Sequence, residues 1–204
     1  MHATTSVLRD FEADGVVYLE LRTTPRPTPH LTLEEYVSAI TDAIAAFPTT
    51  KMHTKLILCV DRRHEVATAE KILDLCGGEV VGLDLCGDPT AKPRGEIDVF
   101  TGVFETAKQR GLGVTVHFAE AEASGSQKET EVLLSWEPGR LGHVIWEGEG
   151  AKKVIEERGL CLELCLSCNV LAGMVEGGFG DHHFGYWRGR GVMIALSVSC
   201  EVKS

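Results

Sequence analysis

The sequence predicts an α/β fold built as a barrel of parallel strands, and three observations lead there. Apolar, β-branched runs alternate with stretches of helical periodicity along most of the chain, which is the pattern of repeated βα units. The runs are nearly continuous in apolar residues, as strands of a parallel sheet covered by helices are. Polar and titratable residues recur just where these runs end: Glu20 and Arg22, Asp61 and Arg62, Asp84 and Asp88, His117 and Glu120, His143, Ser167 and Asn169. A doubly wound sheet, the alternative fold, gathers its site at one switch point, whereas a barrel collects residues from nearly every strand end. No glycine-rich phosphate loop follows an early strand, which also counts against the doubly wound sheet.

In chain order, SVLRDFEADG (6–15) reads as a helix and VVYLEL (16–21) as the first strand. LTLEEYVSAITDAIAAF (31–47) has helical periodicity and leads to the strand KLILCV (55–60). EVATAEKILDLCGG (65–78) and the strand VVGLDL (80–85) repeat the unit, as do EIDVFTGVFETAKQRG (96–111) and GVTVHF (113–118). The strands RLGHVI (140–145), CLELCLS (161–167) and VMIALSVS (192–199) follow, with the helix GEGAKKVIEERG (148–159) after the first of them. Three of these helical stretches end in glycine, the residue that most often closes a helix. Seven strands are one short of a closed eight-stranded barrel, so the first strand and the end of the last βα unit are expected to lie outside these 204 residues.

Composition narrows the function. Hydrophobic residues make up 44% and charged residues 25%, values suited to one globular domain over residues 1–204. A net charge of −10 argues against a binder of nucleic-acid polymers or membrane surfaces, which needs a basic face. No apolar run reaches the roughly 18 residues of a membrane span, and the N-terminus lacks a signal-peptide pattern, so a cytoplasmic location is expected. Seven cysteines, including Cys59, Cys86, Cys161 and Cys165 within apolar runs, read as reduced core thiols. The rival reading joins Cys165 and Cys168 to His182 and His183 as a structural zinc site, but no second CxxC supports it, and LCLELCLSCN reads as a strand.

The ordered motifs YLELRTTPR, VDRR, GLDLCGDP, VTVHFAE, RLGH, LELCLSCN and DHHFGYW resemble the adenosine deaminase family, in particular its branch acting on N6-methyl-AMP. The resemblance runs from about Val7 to Ser197. It implies a TIM (β/α)8 barrel of the metal-dependent hydrolase type and zinc-dependent hydrolytic deamination of a 6-aminopurine nucleotide or nucleoside. By that resemblance His117 is a zinc ligand, Glu120 protonates the purine ring nitrogen, and His143 orients and stabilises the zinc-bound hydroxide. Such roles are chemically coherent, because charge left on the ring nitrogen needs a positioned acid. Gly87 resembles the glycine whose backbone approaches the purine. Thr23, Thr24, Pro25 and Arg26 match a segment lying against the nucleotide, where two hydroxyls and a guanidinium would serve a phosphate. Asp61 resembles a substrate-contacting position. Taken without the resemblance, TTPR is a proline-containing turn with Arg26 solvated, and Asp61 pairs with a neighbouring arginine.

Two departures accompany the match. Nothing before Val16 carries the His-x-His pair of the family's first strand, and IALS runs into VSCEVKS rather than a Thr/Ser-Asp-Asp sequence. Glu201 comes several residues too late to replace the missing aspartate. The expectation is a chain truncated at both ends, holding one of four zinc ligands and therefore inactive by itself. The complete enzyme is expected to be monomeric, with a purine nucleotide or nucleoside as its small-molecule partner. A second function class, a non-catalytic nucleotide-binding or interaction protein, uses the same residues without metal.

Overall fold

A computed structural model describes residues 2–91 and 96–197. Glu201 and the last two residues of the run 192–199 lie outside the described residues. The strands are β1 (Tyr18–Thr23), β2 (His53–Asp61), β3 (Val80–Cys86), β4 (Gly113–Phe118), β5 (Arg140–His143), β6 (Cys161–Leu164) and β7 (Met193–Leu196). They form one sheet in the order β1-β2-β3-β4-β5-β6-β7, every neighbouring pair parallel. Sequential order without reversal is the winding of a barrel. The doubly wound alternative requires a switch point, and this sheet has none.

Among the described residues eight α-helices accompany the strands: α1 (His2–Ala13), α2 (Leu33–Ala45), α3 (Val66–Asp74), α4 (Thr101–Gln109), α5 (Gln127–Ser135), α6 (Glu149–Arg158), α7 (Leu166–Leu171) and α8 (Phe184–Trp187). Helix α2 starts where Thr32 and Glu35 cap each other: the Glu35 amide donates to Thr32 Oγ1 (3.2 Å) and the Thr32 amide to Glu35 Oε2 (2.8 Å). Helix α6 closes on Gly159 in the left-handed conformation (φ 58°). Helix α3 departs from the expected glycine closure: it ends at Leu75 with a right-handed cap, two residues before Gly77.

Alternation along the strands divides the sheet's two faces. Leu21, Leu83, Leu85, Val114, Val116, Phe118, Leu141, Leu162 and Leu164 pack with the helices into one apolar core. The intervening residues Glu20, Arg22, Asp84, Thr115, His117, Arg140 and Glu163 meet one another on the opposite face. The strands are therefore less uniformly apolar in role than their sequence suggests. On the helix side, Phe104 of α4 stacks on Trp136 with ring centroids 4.5 Å apart, and Trp136 Nε1 donates to Thr101 Oγ1 (3.0 Å).

Two elements differ from the sequence reading. The run 161–167 leaves the sheet at Leu164, its last ladder residue, and turns into α7, so Cys165 and Cys168 are not on a strand. Helix α5 has only a short apolar signature, Leu133 and Leu134, because Glu129 and Thr130 share its buried side. Glu129 accepts from Arg62 Nη1 (2.6 Å), and both side chains are almost completely buried. The six described cysteines carry no disulfide; Cys59 and Cys165 are buried, whereas Cys86 and Cys161 are only partly so.

Phe104→Ala should destabilise the chain by roughly 3–5 kcal/mol, because the Trp136 face would be left against a cavity. Urea unfolding followed by Trp fluorescence measures it. A loss below 1 kcal/mol would mean that the stack contributes nothing beyond filling surface.

Candidate functional site

The C-terminal ends of β4 and β5 bring His117, Glu120 and His143 together. His117 projects from β4 toward the charged face, and its Nδ1 lies 3.2 Å from Asp84 Oδ2 on β3. Burial opposes a charge on this ring, yet the fully buried Asp84 carboxylate outweighs it and pushes the pKa up to about 9. The same contact, with Arg22 beyond, holds Asp84 below the usual carboxylate range against the cost of its burial. Arg22 lies 3.6 Å from Asp84 and pairs with Glu163, which also meets Arg140 Nε at 3.2 Å.

Glu120, two residues past the end of β4, is 4% exposed, with Oε1 3.4 Å from His143 Nε2. Burial lowers the pKa of His143. The His117 and His143 rings stand 5.1 Å apart between centroids. Three non-glycine residues here take left-handed backbone: Ala119 (φ 47°), His143 (φ 65°) and Val144 (φ 54°). For a β-branched residue such as Val144 this conformation is costly, and clustering of strained residues marks functional sites. Hydrogen bonds hold the strained turn in place: the Val144 amide donates to Phe118 O (3.0 Å), and the Trp146 amide to Ala119 O (2.8 Å).

The nucleotide-side residues divide. Thr23 Oγ1 lies 2.8 Å from Tyr36 Oη, and Thr24 Oγ1 lies 3.4 Å from Cys86 Sγ. Pro25 is buried and Arg26 exposed. Asp61 is engaged by Arg63, whose Nη2 donates to Oδ2 (2.6 Å) and whose Nε donates to Oδ1 (2.9 Å). These contacts lower the Asp61 pKa although burial pulls the other way. Gly87 (φ 98°) packs directly on Asp61: a Cβ there would lie 2.6 Å from Oδ1. Glycine at 87 is thus required both by its backbone and by the neighbouring carboxylate.

Several contributors carry no site role in the sequence reading. Asn169, fully buried on α7, lies 2.9 Å from His143 Nδ1 and 3.2 Å from His182 Nε2. His183 Nε2 donates to the His143 carbonyl (2.6 Å). Arg62 Nη2 donates to the His117 carbonyl (3.3 Å) while pairing with Glu129. Both histidines of DHHFGYW are therefore engaged with His143 and Asn169 rather than with Cys165 and Cys168, in keeping with the sequence reading's preference against a zinc site there. A signal did exist for Asn169, because it ends the motif LELCLSCN.

Residues 2–197 match the family model described as adenosine deaminase. The chain belongs to the adenosine deaminase family. Among its curated relatives is the N6-methyl-AMP deaminase-L of Xenopus laevis, 34% identical over 90% of this chain and 55% of the relative. An Arabidopsis ADAL structure complexed with IMP superposes with a TM-score of 0.86 at 26% identity, covering 95% of this chain and 59% of that one. An amidohydrolase from Burkholderia ambifaria with bound Zn shares the fold at a TM-score of 0.78 and 17% identity, over 96% of this chain and 56% of its own. This chain spans about half the length of the curated relatives it matches.

Whether the residues present suit a metal has a divided answer. His117 does: Asp84 occupies Nδ1, fixing the ring and leaving Nε2 for an ion, the carboxylate–histidine arrangement common around metal ligands. Among the described residues, however, no three His, Cys, Asp or Glu side chains stand so that they could share one ion. A protein-held zinc normally needs three or four such donors.

Gly87→Ala should cost roughly 1–3 kcal/mol of stability from left-handed strain, plus the clash with Asp61. Comparing it with the double variant Asp61→Ala/Gly87→Ala by chemical denaturation separates the two contributions. Full stability in the single variant would show that the segment relaxes freely.

Proposed function

We propose that this site belongs to a hydrolytic deaminase that removes the 6-amino or 6-methylamino group of a purine nucleotide or nucleoside, converting N6-methyl-AMP to IMP or adenosine to inosine in purine salvage. The observation that carries the reading is the buried Glu120–His143 pair beside His117, at the ends of adjacent strands. Glu120 is the group placed to give a proton to the ring nitrogen as the purine carbon accepts oxygen. His143, held beside it, presents Nε2 to the same space. His117 would hold zinc through Nε2, with further ligands from residues beyond those described. When bound, the ion lowers the pKa of water enough to make it a nucleophile near neutral pH. Glu120 and His143 are themselves only 4% and 2% exposed, which keeps the pair's electrostatics strong.

The phosphate would be met by Arg26, with Thr23 and Thr24 exchanging their present partners for it. The lack, among the described residues, of three converging metal donors favours a second reading for this chain by itself: nucleotide binding without turnover.

In a chimera that joins this chain to the flanking segments of an active relative, Glu120→Gln should keep zinc and nucleotide affinity while kcat falls roughly 100- to 10,000-fold. Metal analysis and steady-state kinetics decide it. Near-normal turnover would remove Glu120 from the chemistry, and IMP binding without turnover by the 204-residue chain itself would support the second reading.

Arg26→Ala in the same chimera should reduce kcat/KM for the 5′-monophosphate roughly 10- to 150-fold and leave any adenosine activity nearly unchanged. Equal losses on both substrates would assign Arg26 to the fold rather than to the phosphate.

A further inference from the structure

The cluster His143–Asn169–His182 contains a hydrogen-bond conflict whose resolution determines where one proton sits. His182 Nδ1 lies 2.9 Å from the backbone amide of Phe184. An amide N–H can only donate, so Nδ1 must accept. Burial holds the His182 pKa below the usual histidine range, and a neutral ring that accepts at Nδ1 carries its proton on Nε2. That Nε2–H faces the side-chain amide of Asn169 at 3.2 Å. Were Asn169 to present its NH2 group there, two donors would confront each other inside a fully buried site, which costs the full desolvation of both. Asn169 must therefore turn its oxygen toward His182. The two ends of an amide are distinguished by such hydrogen-bond partners, not by their shape.

The consequence passes to His143. The structure places Asn169 Oδ1 2.9 Å from His143 Nδ1 and Nδ2 3.2 Å from His182 Nε2, and exchanging these two ends of the amide puts the oxygen on His182 and the NH2 group on His143 Nδ1. Nδ1 must accept, and the neutral His143 ring carries its proton on Nε2, facing Glu120 Oε1 at 3.4 Å. His183 contributes separately: a carbonyl only accepts, so His183 is protonated on Nε2, where it holds the His143 backbone. Its Nδ1 is buried without a partner, and burial lowers its pKa to about 4, so this ring too is neutral.

We infer that Asn169 and His182 are positioning residues that fix His143 as the Nε2–H tautomer, relaying a polarity set by the Phe184 amide. In the proposed reaction His143 then acts as a hydrogen-bond donor toward Glu120 and the incoming oxygen rather than as a base. That last step rests on the proposed function, whereas the tautomer does not.

The test is 15N-detected histidine NMR on the 204-residue chain at neutral pH, with His143 signals assigned by their loss in His143→Gln. His143 Nδ1 should resonate as an unprotonated nitrogen and Nε2 as a protonated one. In Asn169→Asp the carboxylate can only accept, so Nδ1 should move to the protonated range. In Glu120→Gln the wild-type pattern should persist, because the tautomer is set from the other side of the ring. A wild-type spectrum with Nδ1 protonated overturns the inference outright. So does an unchanged Nδ1 in Asn169→Asp, or a tautomer that reverses in Glu120→Gln, which would place control with Glu120. None of these outcomes depends on catalysis.

Discussion

Two arginines crossing the charged face of the sheet are the constraint on which the rest depends. Arg22 of β1 pairs with Glu163 of β6, and Arg140 of β5 pairs with Glu20 of β1 and again with Glu163. β1 and β6 are not ladder neighbours. The Arg22–Glu163 and Arg140–Glu20 pairs therefore link β1 to β6 and β5, strands that backbone hydrogen bonds do not join, and they do so only if the sheet curves until its early and late strands face one another. Curvature of this kind gathers the strand ends, so the site is a product of the charges beneath it. Glu163 is 5% exposed and Asp84 fully buried, so loss of one partner would strand a buried charge. Removing one member of such a pair is costly, whereas an apolar replacement of all of them could fold as well. What the charges supply is direction.

The same chain of charges ends on chemistry. Arg22 reaches Asp84, and Asp84 reaches His117, so the orientation of the one candidate metal ligand is coupled through two residues to strand β1. From the other side, Arg62 ties the His117 carbonyl to the Arg62–Glu129 pair and thus to α5. His117 is held at side chain and backbone by different elements, which is how a site keeps its geometry without a ligand in place.

Alternation of βα units made the fold readable, and the strand order removed the doubly wound alternative. What escaped did so for identifiable reasons. Helix α5 was hidden because an amphipathic pattern assumes that buried means apolar, and Glu129 is buried as a partner of Arg62. The run 161–167 reads as one strand because Leu166 and its neighbours are apolar in α7 as well, and short apolar runs do not distinguish the two. At the site, His117, Glu120 and His143 were visible as titratable residues ending strands. Asn169 was noted only as a polar strand end, since an amide has no chemistry of its own until its neighbours define which end faces which. For Asp61 and Arg26 the plain local reading describes the structure well: Asp61 pairs with Arg63 and Arg26 is exposed.

The turn after β5 shows why so much is invested around one histidine. His143 and Val144 both lie in the left-handed region, where a side chain costs energy that a straight strand would avoid. Continuing β5 as a regular strand would send the His143 ring to a different side of the sheet, since successive side chains alternate. The left-handed turn instead places Nε2 against Glu120 while Nδ1 remains with Asn169. Such a conformation survives only where it is over-determined, and three separate holds meet here: amides of the turn on Phe118 and Ala119, His183 on the carbonyl, and Asn169 on the ring. Each comes from a different element, β4, the α8 approach and α7. Local strain is thereby distributed over tertiary contacts, and the position of one imidazole becomes a property of the whole strand-end surface.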